Sequence, residues 1–376
     1  MADVYLDHAA TTPMDSRVRD FLREALREPQ NASSVHRSGQ RARAHLEESR
    51  EEIAALLGVK KDEVIFTSGS TEANNLAIRG FVAGRAAAGM KTRVLTSMIE
   101  HSCVRETVQA LSQAGAIDAE FMTVGSDGTA QVPGNAHCDL LCLMAVQNET
   151  GILQRLEEAR ALRDAAGARW LCDLTQGFGL LQPEQYGGAD FYSVSSHKIH
   201  GPAGVGALAG SGLKQIRAQI TGGPQEHGLR AGTQPVALIR AFAMAARLAR
   251  EERGARAQHL GNLCHGALEK LRASGVEFLE NGDSSRRLPG FLNISLPGIQ
   301  ATDLVIALDS RGFFLSAGSA CATGVMETSP AMTAMFPHDE ARAAGAVRIT
   351  PGKDTTMEQM LALVDAITAF TQRARR

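Results

Sequence analysis

Charge of one sign is what this sequence lacks most visibly: 39 lysines and arginines stand against 41 aspartates and glutamates in 376 residues. With net charge near zero and no long run of like charge, neither nucleic acid nor an anionic membrane is favoured as a partner. A small molecule is the expected ligand. Long hydrophobic runs are missing too. No apolar stretch approaches the roughly 20 residues needed to span a bilayer. The opening residues, MADVYLDHAA, carry neither the basic stretch nor the apolar core of a signal peptide. The expectation is a soluble, cytoplasmic protein. The six cysteines, Cys103, Cys138, Cys142, Cys172, Cys264 and Cys321, form no CxxC pair and are scattered mostly through apolar segments. That spacing argues against a disulfide framework and a zinc site, so no metal is expected, and it predicts mostly buried thiols acting as small hydrophobes. Internal repeats and low-complexity linkers are absent as well.

What is present is an alternation. Short apolar runs bounded by polar residues or glycine (EVIFTSG, RVLTSM, DLLCLMAV, RWLCDLTQG, FYSVSSH and GVGALAG) read as strands. Between several of them lie segments of 3.6-residue apolar spacing that close on glycine, such as QRARAHLEESREEIAALLG and ILQRLEEARALRDAAG. Strand and helix in turn predict an α/β domain with a mainly parallel sheet. Since single cores stop growing at roughly 250 to 300 residues, two domains are expected. From Pro235 to about Ser274 the chain is alanine-rich and helical, and the pattern then changes to LPGFLNISL and a helix from about Thr302. The domain change is placed near Glu251 to Gln258. The large domain takes residues 14–255, and the small α+β domain takes 1–13 and 256–376.

In such sheets ligands gather at the carboxyl ends of the strands, so polar motifs after strands carry the chemistry. After VIFT, the residues Ser68, Gly69, Ser70 and Thr71 turn into a helix whose N–H groups and dipole suit a phosphate. An N-cap followed by Glu72 accounts for the same residues equally well. After RWLC comes Asp173, with Gln176 three residues on. A buried strand-end carboxylate needs a partner, either a cation or the backbone N–H groups of a cap. His101, after RVLTS, fits a structural or a catalytic role. Lys198, after a strand and flanked by Ser195, His197 and a Gly-Pro-x-Gly turn, suits an amine held with lowered pKa for Schiff-base chemistry. Phosphate seat, carboxylate, histidine and lysine, in this order on one α/β pattern, describe a pyridoxal phosphate site. Downstream, Cys321 in FFLSAGSACATG lies among small residues that predict a mobile exposed loop, the access a nucleophilic thiol needs. Arg348 in AVRITPG offers a fork to a substrate carboxylate or a surface salt bridge.

These residues resemble the cysteine desulfurases of the NifS and IscS type, class V of the fold-type I pyridoxal phosphate enzymes. The match runs in family order through YLDHAATTP, NASSVHRSGQ, VIFTSGSTEANNLAIRG, EHSCV, QNETG, CDLTQ, SSHKIHGPAGVGAL, GLRAGTQ, NGD, LPGFLNISLPG, SAGSACATG and VRIT. The resemblance implies a fold-type I transferase that converts L-cysteine to L-alanine and leaves the sulfur as a persulfide on Cys321. By it Lys198 would carry the cofactor, His101 would stack on the ring and shuttle protons, Asp173 would pair with the ring nitrogen, and Gln176 would bond the phenolic oxygen. Ser70, Thr71, Ser195 and His197 would hold the phosphate, joined by Thr233 from the second subunit of a homodimer. Asn148 and Arg348 would grip the substrate carboxylate. The spacing of Cys321 and Arg348 resembles the group with a longer catalytic loop, and the sulfur would pass to an acceptor or scaffold protein for iron-sulfur or other cofactor assembly.

The sequence departs from the family pattern at Ala32, Gln147, Pro224, His227, Pro351 and Lys353, positions expected near the substrate mouth and the dimer or partner surface. Rival readings are a selenocysteine lyase or another class V enzyme, and a partner-binding assembly component with little activity. The thiol at Cys321 separates a desulfurase from the class V rivals, because a transaminase needs none there.

Overall fold

The computed structural model describes residues 3–318 and 328–374. The chain starts with β1 (Val4–Tyr5), α1 (Ser16–Ala25) and α2 (Arg37–Leu57), and α2 closes where Gly58 takes φ +70°. It then builds a seven-stranded sheet from β2 (Val64–Thr67), β3 (Thr92–Ser97), β4 (Ile117–Met122), β5 (Leu140–Cys142), β6 (Arg169–Asp173), β7 (Phe191–Ser195) and β8 (Gly206–Ala209). The spatial order is β2-β8-β7-β6-β5-β3-β4, with parallel pairing from β7 through to β4 and with β8 antiparallel to both its neighbours. Between strands run α3 (Ser70–Ala86), α4 (Ser102–Gln113), α5 (Leu156–Ala166) and the short α6 (Pro183–Tyr186).

β2, β5, β7 and β8 are buried at every position, because helices cover the faces of the sheet and an unbroken apolar run then loses nothing to water. One face gathers Trp170 of β6 and Tyr192 of β7 with Ile53 of α2, Leu162 of α5, Tyr186 of α6 and Phe242 of the long α7 (Val236–Glu251). The other packs Ile65, Val94, Leu171 and Phe191 against Ile78 and Phe81 of α3 and Val104 and Val108 of α4. The expected strands correspond to β2, β3, β5, β6, β7 and β8. The edge strand β4 was not among them. Its sequence, IDAEFM, alternates buried with exposed positions and carries Asp118 and Glu120, as a one-sided, charge-protected edge does.

A second core gathers Leu263 and Leu271 of α8 (Arg253–Ala273) and a small antiparallel sheet. That sheet consists of β9 (Leu279–Glu280), β10 (Leu292–Ser295), β12 (Ser316–Ala317) and β13 (Ala346–Ile349), in the order β12-β13-β10-β9. Leu304 and Leu308 of α9 (Ala301–Asp309) and Leu363 of α12 (Met357–Ala374) complete it. The chain start belongs here too, for β1 pairs in parallel with β11 (Phe313–Phe314) and Leu6 is fully buried in this core. Ala9, three residues on, packs in the first core, as do Met332 and Met335 of α10 (Pro330–Met335) and Ala343 of α11 (Glu340–Ala344). Residues 7–13 therefore cross from one core to the other. His8 N–H and Ala9 N–H donate to Thr350 O and Oγ1 just past β13, at 3.1 and 3.0 Å. Thr12 Oγ1 donates to His197 O at 2.7 Å and accepts from His200 N–H at 2.8 Å. Among the described residues no helix is long and apolar enough to cross a membrane.

Candidate active site

The ends of β2, β3, β6 and β7 and the crossing strap open on one cavity of about 380 Å³. Its lining includes Ser70, Thr71, His101, Asn148, Asp173, Gln176, His197, Lys198 and Arg348, so nine of the residues singled out in the sequence share one space. The helix α3 points its N-terminus there. Gly206 permits this approach, since a Cβ on it would stand 2.7 Å from the Cα of Gly69. Glu72 bonds back to Ser68 N–H at 2.8 Å and pairs with Arg230 at 2.8 Å. The N-cap is Gly69, which makes no side-chain cap bond, so the turn leaves the helix N-terminus open.

Asp173, the last residue of β6, is buried. Its Oδ2 accepts from Asn74 Nδ2 at 2.7 Å and its Oδ1 from Thr175 N–H at 2.9 Å. It forms no ion pair among the described residues, although it lines the cavity. His101 is the N-cap of α4, with ring Nδ1 accepting from Cys103 N–H at 3.3 Å. Burial lowers its pKa and the positive charges of Lys198 and Arg105 add to this, while Asp173 opposes them. Lys198 closes a 3-10 turn after β7, and its ammonium donates to Ala9 O and Ala10 O, both at 2.6 Å. Gln176 Nε2 donates to the same Ala9 O at 2.9 Å. His197, its Nδ1 3.1 Å from Thr11 Oγ1, is pushed down to about 4 by burial and by the Lys198 charge, so it is neutral at pH 7.

Arg348 enters from β13. One Nη donates to Asp7 Oδ1 at 2.6 Å and the other to Asn148 O at 2.9 Å, while the buried Nε has no partner among the described residues. Two residues expected at the site stand apart from this lining. Ser195 is buried, its hydroxyl 3.6 Å from where a Cβ on Gly69 would lie. Thr233 is exposed and does not reach the cavity of its own chain. Cys321 lies outside the described residues.

The structure adds groups that sequence reasoning passed over. Glu100 is buried in the cavity wall with Oε1 accepting from Met144 N–H at 2.6 Å, and burial, reinforced by the Asp173 charge, pushes its carboxyl up to about 8. Glu149 accepts from Ser329 Oγ at 2.8 Å, and burial raises its pKa as well. Each stands beside a residue already singled out, His101 or Asn148, and that adjacency was the available signal. Gln147, one of the departures expected near the mouth and the dimer or partner surface, is fully buried beside the cavity-lining Asn148. Its Oε1 accepts from Glu149 N–H and Thr150 N–H, both at 2.7 Å, closing the turn that presents Asn148. Pro351 and Lys353 line a separate space of about 70 Å³ behind Lys198.

Residues 4–363 match the family model described as aminotransferase class-V. A Bacillus subtilis (strain 168) protein bearing the name IscS 1 is 36% identical over 367 residues, spanning 96% of this chain and 96% of its own. The cysteine desulfurase IscS of Rickettsia bellii (strain OSU 85-389) is 33% identical over 369 residues, 95% of this chain and 88% of its own. Among solved structures, a NifS-like protein superposes with a TM-score of 0.89 at 30% identity, covering 99% of this chain and 100% of that one.

Proposed function

The chain belongs to the class-V aminotransferase family and, within it, to the cysteine desulfurases of the NifS and IscS type, and from that premise we propose that it converts L-cysteine to L-alanine, with Cys321 taking the sulfur. The observation that carries the reading is the single cavity that gathers the α3 N-terminus, the buried Asp173 carboxylate, the Lys198 amine and the Arg348 guanidinium. Pyridoxal 5'-phosphate is the cofactor of this family, and when bound it supplies an electron-withdrawing ring linked to the substrate amine. The residues present fit it. The α3 N-terminus with Ser70 and Thr71, backed by Ser195 and His197, suits a phosphate. The cavity-facing Asp173 suits a ring N–H, Gln176 the phenolic oxygen, and Lys198 the aldehyde.

The chemistry of the chain follows from its own groups. Asn148 and Arg348 orient the substrate carboxylate, and a fork of charge-assisted hydrogen bonds fixes the rotation of Cα. Lys198 Nζ removes the proton from Cα and returns one to carbon, with His101 as the neighbouring proton carrier. The Cys321 thiolate attacks the substrate sulfur. An S–S bond forms as Cβ–S breaks, Cβ gains a proton, L-alanine leaves, and a persulfide stays on Cys321. That persulfide passes to an acceptor protein for iron-sulfur or other sulfur-containing cofactors, or is reduced to sulfide. Thr233, exposed on its own chain, completes the phosphate seat of a second copy, so the working species is a homodimer.

The test is to supply L-cysteine and a thiol reductant and to assay alanine and sulfide together, expecting equal amounts. Cys321→Ala should stop both while exchange of the cysteine α-proton with solvent continues. Near-normal alanine from that variant would overturn the reading.

A further inference from the structure

Beside His101 sits a thiol that the proposed chemistry leaves unused. Cys103 Sγ lies 3.1 Å from His101 Nδ1 and accepts from Asn74 Nδ2 at 3.2 Å. The same Asn74 amide donates to Asp173 at 2.7 Å. Resting on the function proposed above, we infer that Cys103 is a positioning residue, whose S–H donates to His101 Nδ1, keeps the imidazole neutral with its proton on Nε2, and ties the ring through Asn74 to Asp173.

The direction of each bond follows from the donors. The backbone N–H of Cys103 points at His101 Nδ1 and can only donate, so that nitrogen presents its lone pair and the proton of a neutral ring sits on Nε2. Asn74 Nδ2 and the Thr71 hydroxyl both bond the sulfur as donors, and the S–H is left to Nδ1, 3.1 Å away. Burial and the Asp173 charge push the Cys103 pKa up to about 12, so the thiol keeps the proton it donates. An imidazolium has no lone pair to receive this bond, so the thiol favours the neutral ring. The charges facing that ring are Asp173 from β6, which favours the cation, and Lys198 after β7 with Arg105 on α4, which oppose it. The Cys103 thiol acts with the second pair. Together with the Cys103 N–H it holds the proton of the neutral ring on Nε2, which decides the direction in which His101 can pass it.

The experiment is nitrogen NMR of the full chain labelled with 15N-histidine, with and without pyridoxal phosphate, with His101→Gln identifying the signals. The wild type should show an unprotonated Nδ1 and a protonated Nε2 at neutral pH. Cys103→Ala should raise the His101 pKa by about half a unit, the size of one weak hydrogen bond, and Cys103→Ser should restore it. If Cys103→Ala does not fold, Cys103→Val keeps the volume without the donor and should give the same shift. A protonated Nδ1 in the wild type, or a titration unmoved by removing the thiol, overturns the inference. These signals are read without turnover, so failure of the alanine assay would sink the proposed function and leave the role of Cys103 to be decided by the ring nitrogens.

Discussion

The two walls of the cavity are built in opposite ways. One is the rim of a single sheet, where Asp173 ends β6, Lys198 follows β7 and Ser70 and Thr71 open α3. Each residue is placed by the strand or helix it adjoins. The other wall is a composite of the strap at residues 7–13, Asn148 and Arg348, and its parts come from three distant stretches of chain. Arg348 reaches Asp7 and Asn148 only because β13 and the strap cross at Thr350. A rim is as stable as its sheet, whereas a composite wall depends on the bonds that hold the two cores together. Under the proposed function the cofactor would lie against the sheet rim and the substrate carboxylate against the composite wall.

The largest effect should come from the rim. Lys198→Ala removes the amine proposed to move the Cα proton, and alanine formation should fall by about 10³-fold or more with the far-ultraviolet dichroism unchanged. Retention of turnover would dissolve the distinction between the walls. A smaller and more selective loss is expected on the other side. Arg348→Lys keeps a positive charge for Asp7 but has no fork, and the KM for L-cysteine should rise about tenfold. The absorbance and affinity of the bound cofactor should stay as in the wild type. A matching loss of cofactor would mean that the walls do not divide the work.

The smallest effect concerns the strap itself. His200 donates a ring bond to Pro13 O at 2.9 Å, and burial pushes its pKa down to about 4. Between about pH 6.5 and 4 the unfolded chain therefore binds a proton that the folded chain refuses, and stability falls as pH drops through that window. His200 has φ +65°, a conformation that asparagine tolerates. His200→Asn should flatten the acid side of a melting-temperature profile by the equivalent of about 1 to 2 kcal/mol at pH 5. An unchanged slope would show that the strap does not sense this proton.

How much of this was legible beforehand depends on range. Apolar runs, glycine stops and the positions of Asp173, His101 and Lys198 relative to strand ends are local properties, set within a few residues by backbone geometry and burial, and the sequence alone determined them. The same holds for the helices that close at Gly58 and Gly167. The edge strand β4 escaped because its charged, half-exposed residues carry no continuous apolar signal. Which side chain meets which was settled by packing: Asn74 with Asp173 across 99 residues, Arg50 with Glu226 across 176, and Arg348 with Asp7 across 341. No periodicity encodes such pairs. Each is the solution to a buried polar group's need for a partner, and the partner is whichever donor or acceptor the packed sheets bring within hydrogen-bond reach.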